Sequence, residues 1–305
     1  MPPTIPSRSF EVASSPTEVI RVRDAGGRVW DDVRAVSIVW RRELIRFFRN
    51  RLRLVTSFAQ PILFLFVLGT GLSRIVGSAG GTATTGATHV DFRTFIFPGV
   101  LGMTVLFTSI FSAVSIVWDR EFGFLREMLI APVRRGALIF GKCLGGTTVA
   151  SIQGVIMLAF AGVVHIPYSP ALLLTLVLEM ALAAFVITAT GIMLASRISQ
   201  VETFQPVMQF FVMPMFFLSG ALFPLTGLPA WLVVLTKIDP LSYAVDPMRR
   251  AIFSHISASP ALNQLLNAGM TWNGWRLPVA LELGLIATVG LVFLGAAVLQ
   301  FSRPE

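Results

Sequence analysis

The run from Gly136 to Cys143, Gly-Ala-Leu-Ile-Phe-Gly-Lys-Cys, has the spacing of a phosphate-binding loop up to its last position. Such a loop follows a strand, and its closing Ser or Thr hydroxyl coordinates Mg²⁺. Here the variable positions are apolar and Cys143 replaces the hydroxyl, so we expect no nucleotide site in this chain. We interpret the run as the mouth of a membrane helix, where Gly141 and Gly145 permit close approach of another helix and Lys142 lies at the headgroup level.

Two carboxylates, Glu179 and Glu282, stand inside otherwise apolar stretches. An intramembrane charge is costly and commonly functional. Each carboxylate can face a water-filled path, pair with a basic group or stay protonated, and the sequence leaves a structural and a transport role open. Two isolated carboxylates make a poor proton relay, so they give weak support to a carrier driven by an ion gradient.

Metal, redox and nucleophilic chemistry have little basis in the sequence. A single cysteine permits no intrachain disulfide, and His89, His165 and His255 lie too far apart for a zinc motif. A membrane-embedded enzyme acting on lipids needs a nucleophile or metal set clustered at one depth, and none is visible. We therefore expect no catalytic residue, metal or cofactor in this chain.

Phenylalanine and methionine crowd two apolar segments, around residues 107–111 and 208–217. Most such residues pack in the protein or contact lipid, but they also make adaptable walls for a large hydrophobic or amphipathic solute. Pro206 and Pro214 interrupt the second segment, where a kink serves a gate as readily as it serves packing. The residues that we assign to a candidate substrate path are Phe107, Phe111, Phe210, Phe211, Met213 and Phe217.

The elements that carry these residues follow from the composition, which is 54% hydrophobic and only 13% charged. Soluble domains carry about 25% charged residues, so a water-soluble globular protein is excluded. Crossing the hydrocarbon core takes about 20 mostly apolar residues of helix. Six such windows predict an all-α integral membrane fold, with spans at 54–72, 94–117, 144–164, 171–196, 206–223 and 279–299.

The distribution of basic residues predicts the orientation. Of 24 Lys and Arg, 18 lie in the N-terminal segment, the loop after span 2, the loop after span 4 and the tail. Short loops rich in Lys and Arg stay cytoplasmic, so both termini are expected there. The net charge of +8 is then mainly a topology signal, and nucleic acid is not an expected partner. We expect a multi-pass protein of a bacterial cell membrane.

An amphipathic helix is predicted over residues 32–53, the end of a cytoplasmic N-terminal segment (1–53) that precedes the six-helix transmembrane domain (54–305). Its helically spaced apolar residues are Val33, Val36, Trp40, Leu44, Phe47 and Phe48. Trp and Phe beside dense arginine suit the lipid headgroup boundary. The helix either only fixes topology or lies in the membrane plane and also supports a cytoplasmic partner. The residues that we assign to this connecting helix are Trp40, Arg41, Arg42, Phe47 and Phe48.

Two connections between spans also carry information. Residues 224–278 are broken by proline, and their apolar piece at 231–236 is too short to span, so the stretch does not span twice. It also contains a helical segment near 241–256, and we expect an external re-entrant hairpin. The loop after span 2 predicts a short helix whose apolar ridge is Phe122, Leu125, Met128 and Leu129. Such a ridge either enters a partner's groove or folds back on the bilayer.

In this loop the sequence resembles the permease subunits of type-2 ABC exporters, especially the daunorubicin-resistance and nodulation-factor export groups. The loop matches at 119–123, 128–129, 131–134 and 141–142, and a second match covers 217–224 and 239–249. Many family members carry Asn where this chain has Asp239, and Pro247 is unusual. The resemblance extends over residues 40–299.

The resemblance implies a six-span subunit that pairs with a second copy or a related permease and with two ABC ATP-binding subunits, which hold ATP and Mg. The loop becomes a coupling helix between spans 2 and 3, and spans 2 and 5 line the path. The coupling residues are Glu121, Phe122, Gly123, Leu125, Arg126, Met128, Leu129, Pro132 and Arg134.

The expected function is membrane passage for an ATP-driven exporter of a hydrophobic or amphipathic compound, such as a drug, lipid or glycolipid. The alternatives are a secondary exporter driven by an ion gradient and an ABC permease for a lipid-linked polysaccharide. The sequence leaves open the substrate and the choice between a homodimer and a heterodimer.

Overall fold

The fold is dominated by long apolar helices. The computed structural model describes residues 29–71, 92–123, 134–225, 227–256, 269–272 and 274–302. Six of its helical segments are long and apolar enough to cross a membrane, which confirms the six predicted spans. They cover Leu54–Gly71, Phe92–Glu121, Arg135–Val164, Pro170–Ala195, Val201–Leu218 and Val279–Phe301, and we call them spans 1 to 6.

The helices are numbered in chain order. Helix α1 is Val29–Arg49, and span 1 is α2 (Arg51–Leu63) continued by a π-helical turn at Phe64–Leu68. Spans 2 to 5 are built on α3 (Phe92–Glu121), α4 (Arg135–Leu158, with a 3-10 turn at Ala159–Val164), α5 (Pro170–Ala195) and α6 (Val201–Leu218). Outside the spans lie α7 (Ala230–Ile238), α8 (Ser242–Phe253) and a hairpin of β1 (Thr271–Trp272) and β2 (Trp275–Arg276), and span 6 is α9 (Val279–Ser302).

Two span boundaries differ clearly from the prediction. Span 3 begins at Arg135 and not at residue 144, because partners in the fold satisfy its charges: the Arg135 guanidinium donates to the Phe301 carbonyl at the end of span 6 (2.8 Å). Span 5 ends at Leu218 and not at residue 223, since Gly220 takes a left-handed φ of +69°. Glycine adopts that conformation without steric cost and so ends the helix.

Span 2 forms the centre of the bundle. Of its apolar window 83% is buried inside the protein, against 17% for span 1 and 22% for spans 5 and 6. Span 2 packs against spans 3, 4 and 5, while span 4 also packs against span 6 and α1 packs against span 3. Small residues mediate several of these contacts, as is usual between membrane helices.

Helix α8 confirms the helical segment predicted near residues 241–256. It packs against spans 2, 4 and 6 and is buried almost throughout. The Asp239 carboxylate precedes it and accepts hydrogen bonds from the backbone N–H groups of Leu241 and Ser242 (both 3.1 Å) and from the Ser242 hydroxyl (2.8 Å). The Arg249 guanidinium lies over the Phe95 ring of span 2, 4.6 Å from its centroid.

Candidate functional site

Helix α1 lies directly on span 3. Its buried face is a stripe with a spacing of four residues, which places its members one above the other on the helix. The members are Ala35, Val39, Glu43 and Phe47. A Cβ at Gly141 would come within 2.9 Å of the Val39 Cβ, and one at Gly145 within 2.7 Å of the Glu43 Cβ. The predicted close helix approach at these two glycines is therefore confirmed.

The apolar stripe predicted for this helix is only partly the packing face. Val33, Trp40 and Phe48 are exposed, because the face of α1 that packs on the glycines of span 3 is the one with Val39 and Glu43. Trp40 still contacts span 3, since its indole Nε1 donates to the Thr148 hydroxyl (3.0 Å). Arg41 is exposed too. The helix also ends at Arg49 instead of continuing to residue 53.

Five charged side chains form what we call the loop-end cluster: Arg42, Glu43 and Arg46 of α1, Asp119 near the end of span 2 and Lys142 in span 3. Asp119 is 1% exposed and accepts hydrogen bonds from Lys142 Nζ (2.5 Å) and Arg42 Nη2 (2.8 Å). Lys142 Nζ also donates to Glu43 Oε1 (3.3 Å). Arg46 Nη2 also lies 3.7 Å from Asp119 Oδ1. Three cations and two carboxylates thus meet where spans 2 and 3 contact α1.

Lys142 therefore differs from its predicted headgroup position. Its side chain is 3% exposed, and its ammonium group also donates to the Ser115 hydroxyl (3.2 Å). A buried ammonium needs such partners, because desolvation without them costs several kcal/mol. Sequence reasoning missed the pair because Asp119 and Lys142 lie in different helices; the available signal was Ser115 and Asp119 four residues apart on one helix face.

Arg42 illustrates the electrostatics of the cluster. Burial acts to lower the pKa of its guanidinium, but the charges and hydrogen bonds of Asp119 and Glu43 outweigh burial and raise that pKa above its usual value. Arg42 therefore remains a fixed positive charge on α1.

The start of the predicted coupling loop is tied to spans 4, 5 and 6. The Arg120 guanidinium donates to the Ser196 carbonyl (2.9 Å) and lies over the Phe301 ring. Glu121 Oε2 accepts the backbone N–H of Val201 (2.9 Å), where a carboxylate also favours the positive end of the span 5 helix dipole.

The rest of the predicted coupling set is only partly described. Phe122 is 69% exposed, and Gly123 has a φ of +79°. Arg134 Nε lies 3.5 Å from the Asp32 carboxylate of α1. The other predicted coupling residues lie outside the described residues: Leu125, Arg126, Met128, Leu129 and Pro132.

A cleft of about 230 Å³ opens between the end of α1 and spans 1, 2 and 3. Its aromatic side is Phe47, Phe107 and Phe111, and its polar side is Thr56, Ser57, Gln60, Thr108, Ser112 and Gln153. The Thr108 hydroxyl donates to the Gln153 side-chain oxygen, and the Gln153 amide donates to the Ser57 hydroxyl. This hydrogen-bond chain joins three spans. A smaller cavity shares Phe47, Phe111 and Ser112 with the cleft and reaches the loop-end cluster.

The six predicted path residues do not come together. Phe107 and Phe111 line the cleft, with ring centroids 6.5 Å apart. The four predicted residues of span 5 lie on its exposed face: Phe210, Phe211, Met213 and Phe217. The buried face of that helix consists of Phe204, Met208, Val212 and Phe216.

The two intramembrane carboxylates lie at the other end of the bundle. With Asp246 and Arg250 of α8, Glu179 and Glu282 form what we call the hairpin-end cluster. Arg250 donates to Glu282 Oε1 (2.8 Å) and to Asp246, and the Leu277 carbonyl also accepts from Arg250 (2.6 Å). Asp246 lies close enough to Glu179 to repel it. The buried Oε2 atoms of Glu179 and Glu282 have no hydrogen-bond partner among the described residues.

The phosphate-loop spacing has no matching geometry here, since Arg135–Leu158 is one helix that contains the whole run from Gly136 to Cys143. Within the described residues, no group of three His, Cys, Asp or Glu side chains is arranged to hold a metal ion.

A bundle of six candidate spans with α1 packed on span 3 agrees with the comparison to known families. The family model described as ABC-2 type transporter matches residues 34–253. This chain belongs to the ABC-2 type transporter family. The expected resemblance to type-2 ABC permeases is thereby confirmed.

Comparison with individual proteins supports the same family assignment. Nodulation protein J of Rhizobium leguminosarum bv. trifolii is 30% identical over 227 residues, covering 71% of this chain and 80% of the relative. The transport permease ycf38 of Cyanophora paradoxa is 26% identical over 74% of this chain and 76% of its own length. YbhR of Escherichia coli K12, named as a multidrug ABC transporter permease, is 28% identical over 58% of this chain and 48% of its own length.

Family membership defines the protein's class. It is the membrane subunit of an ABC transporter, and such a subunit associates with an ABC ATP-binding subunit. Its six apolar helices indicate a multi-pass membrane protein. ABC-2 permeases generally lack an ATPase site of their own.

Proposed function

We propose that this chain is the permease of an ATP-driven exporter that moves a hydrophobic or amphipathic compound out of the cytoplasm or inner leaflet of a bacterial cell. It works as a pair, with a second copy or a related permease, together with two ATP-binding subunits that hold ATP and Mg. Both termini and the loop-end cluster face the cytoplasm, and α7 and α8 form the external re-entrant segment.

The observation that carries the proposal is the position of the loop-end cluster. Asp119 lies at the end of the helix that enters the coupling loop, Lys142 lies in the helix that leaves it, and both bind α1 through Arg42 and Glu43. A buried ion pair of this geometry holds its helices in one arrangement, since separating the charges leaves them unpaired in a low dielectric. The ends of spans 2 and 3 that flank the loop therefore move with α1 as one body.

Motion of that body reaches the other spans through short contacts. Glu121 holds the first residue of span 5, and Arg120 holds the end of span 4. When ATP closes the partner subunits, pressure on the loop and α1 displaces the ends of spans 2 to 5 together. The membrane path then switches between inward and outward access, as a two-state transporter requires.

The test is reconstitution of this permease with its ATP-binding subunit in proteoliposomes. We expect ATP-dependent export by the complex and no ATP hydrolysis by the permease alone. Replacing Glu121 and Leu125 with alanine is expected to lower association with the ATP-binding subunit and to lower its transport-coupled ATPase. The control is Leu178→Ala, which removes a similar apolar group from the exposed face of span 4. ATP hydrolysis by the lone permease, or unchanged association in the double variant, contradicts the proposal.

A further inference from the structure

The cleft between spans 1, 2 and 3 is sized for part of an amphiphile. Drug-sized ligands occupy pockets of about 300–1,000 Å³, whereas the cleft measures about 230 Å³. It lies in the half of the membrane near the loop-end cluster, because Ser112 precedes Asp119 by seven residues, or roughly 10 Å of helix. In the proposed orientation that half is the inner leaflet.

The walls of the cleft are polar and uncharged. Its six polar residues carry only hydroxyl and amide groups, and none of the described residues that line it is ionisable. A charged ligand group placed there would lose its hydration without gaining a counterion, which costs several kcal/mol. The nearest charged groups line the adjoining cavity: Lys142 and Glu43 bind one another there, and Arg46 lies 3.7 Å from the Asp119 carboxylate.

Gln60 lines the cleft with hydrogen-bonding groups that are not yet used. The Gln153 amide is engaged with Ser57 and Thr108, but the half-buried Gln60 side chain makes no hydrogen bond within the described part of the chain. Gln60 follows Thr56 by four residues, so the two side chains lie on one face of span 1. A primary amide offers two donors and an acceptor, and in a membrane such a group is costly without a partner.

We propose that this cleft binds the headgroup of an uncharged amphiphile that carries hydroxyl or amide groups, with its apolar chain against Phe107 and Phe111. Gln60 both donates hydrogen bonds to the headgroup and accepts from it. The inference rests on the proposed export of an amphipathic compound and narrows its chemical class to neutral headgroups.

The experiment measures protection of a cysteine in the cleft. The permease carries Ser112→Cys and Cys143→Ala, is assembled with its ATP-binding subunit in lipid nanodiscs, and reacts with a maleimide. Octyl glucoside, octyltrimethylammonium and octyl sulfate, each below its micelle concentration, share one chain and differ in headgroup charge. We expect octyl glucoside to slow labelling at least about fivefold and the two charged probes to slow it less than about twofold, because the uncharged walls of the cleft offer no counterion to a charged headgroup.

Two substitutions at Gln60 sharpen the test. Gln60→Leu is expected to abolish protection by the glucoside, and Gln60→Glu is expected to transfer protection to octyltrimethylammonium by supplying a counterion. Gln209→Leu is the matched control, since Gln209 lies on the exposed surface of span 5, outside the cleft. In the Gln209→Leu protein, the three probes should protect the cysteine to the same extents as in the protein with Gln209 intact.

Three outcomes overturn the inference: equal protection by all three probes, no protection by the glucoside, or an unchanged pattern in both Gln60 variants. A change caused by Gln209→Leu instead would place the headgroup on span 5. ATPase activity of the same nanodiscs separates the two proposals. Intact coupling without glucoside protection removes only the headgroup site, whereas a complex without coupled ATPase removes the proposed function.

Discussion

The two charge clusters of this permease lie at opposite ends of the bundle and are built differently. The loop-end cluster pairs Arg42, Arg46 and Lys142 with Glu43 and Asp119, so each carboxylate has at least two cationic partners. In the hairpin-end cluster Arg250 bridges Asp246 and Glu282, Arg249 and Arg276 lie near enough to attract these two carboxylates, and Glu179 makes no ion pair within the described residues. Carboxylates shared by several cations hold helices in one arrangement, whereas neighbouring buried carboxylates repel one another. This difference indicates that the loop-end cluster holds its helices rigidly and that the contacts of the hairpin-end cluster are less stable.

The largest effect is expected from Asp119→Asn. The change removes the carboxylate that both Lys142 and Arg42 bind, and it leaves Lys142 buried with only Glu43 as a charged partner. Breaking a buried pair in this way costs about 3–5 kcal/mol. We expect a large fall in thermal stability and loss of transport-coupled ATPase, measured on the reconstituted complex.

The matched double variant separates charge from packing. Asp119→Leu with Lys142→Met removes both buried charges. Its stability should recover most of the loss, because Glu43 keeps Arg42 as a partner and the side chains of Arg42 and Arg46 are each 39% exposed. Coupled ATPase should stay low in the double variant if the ion pair joins the loop to α1. A stable and fully coupled Asp119→Asn protein would show that the loop-end cluster is dispensable.

A smaller loss is expected from Arg250→Met at the hairpin end. Arg250 is 11% exposed at its side chain, and its removal takes away the cation that bridges Asp246 and Glu282, while Arg249 and Arg276 still attract these carboxylates. One of the two can take up a proton and limit the cost, so we expect about 2 kcal/mol of destabilisation. Unfolding in detergent should show a shift smaller than that of Asp119→Asn. An equal or larger shift would reverse the ranking of the two clusters.

The sequence predicted what depends on local composition. Six apolar windows gave six spans, and the helix near residues 241–256 was found because its pattern is contained in one segment. Asp119 pairs with Lys142, which lies 23 positions later in the chain. The Gln153 side chain donates a hydrogen bond to Ser57, which lies 96 positions earlier. Local pattern and composition do not indicate which residues far apart in the chain will be in contact. Span 3 was predicted too short for the same reason, since Arg135 and Lys142 look unsuited to a membrane helix until their partners are known.

Asp239, before α8, gives a pH-dependent prediction. Burial raises the pKa of this carboxyl to about 7, although hydrogen bonds from Ser242 and Leu241 oppose the rise. The unfolded pKa is about 3.9, so the stability contributed by protonated Asp239 is complete below about pH 4 and is lost as the pH rises through 7.

Asp239→Asn should remove this slope, because the amide oxygen still accepts from the backbone and cannot ionise. We expect a gain of about 1–3 kcal/mol at pH 8 and little change at pH 4. Melting temperatures of the two proteins across this range provide the measurement. A variant that is destabilised equally at all pH values would mean that both carboxylate oxygens are needed as acceptors.

The smallest effect is expected from Glu179→Gln, which addresses the carboxylate that Arg250 leaves unpaired. The Oε2 atom of Glu179 is buried without a partner among the described residues, and Asp246 lies nearby. Replacing the carboxyl with an amide of the same shape removes a source of repulsion and breaks no ion pair, so the protein should be unchanged or stabilised by up to about 1 kcal/mol. A transport role would appear as lost export at unchanged melting temperature. A marked loss of stability would instead mean that Glu179 is ionised and paired in the working complex. Every carboxylate of the hairpin-end cluster would then have a cationic partner, as in the loop-end cluster.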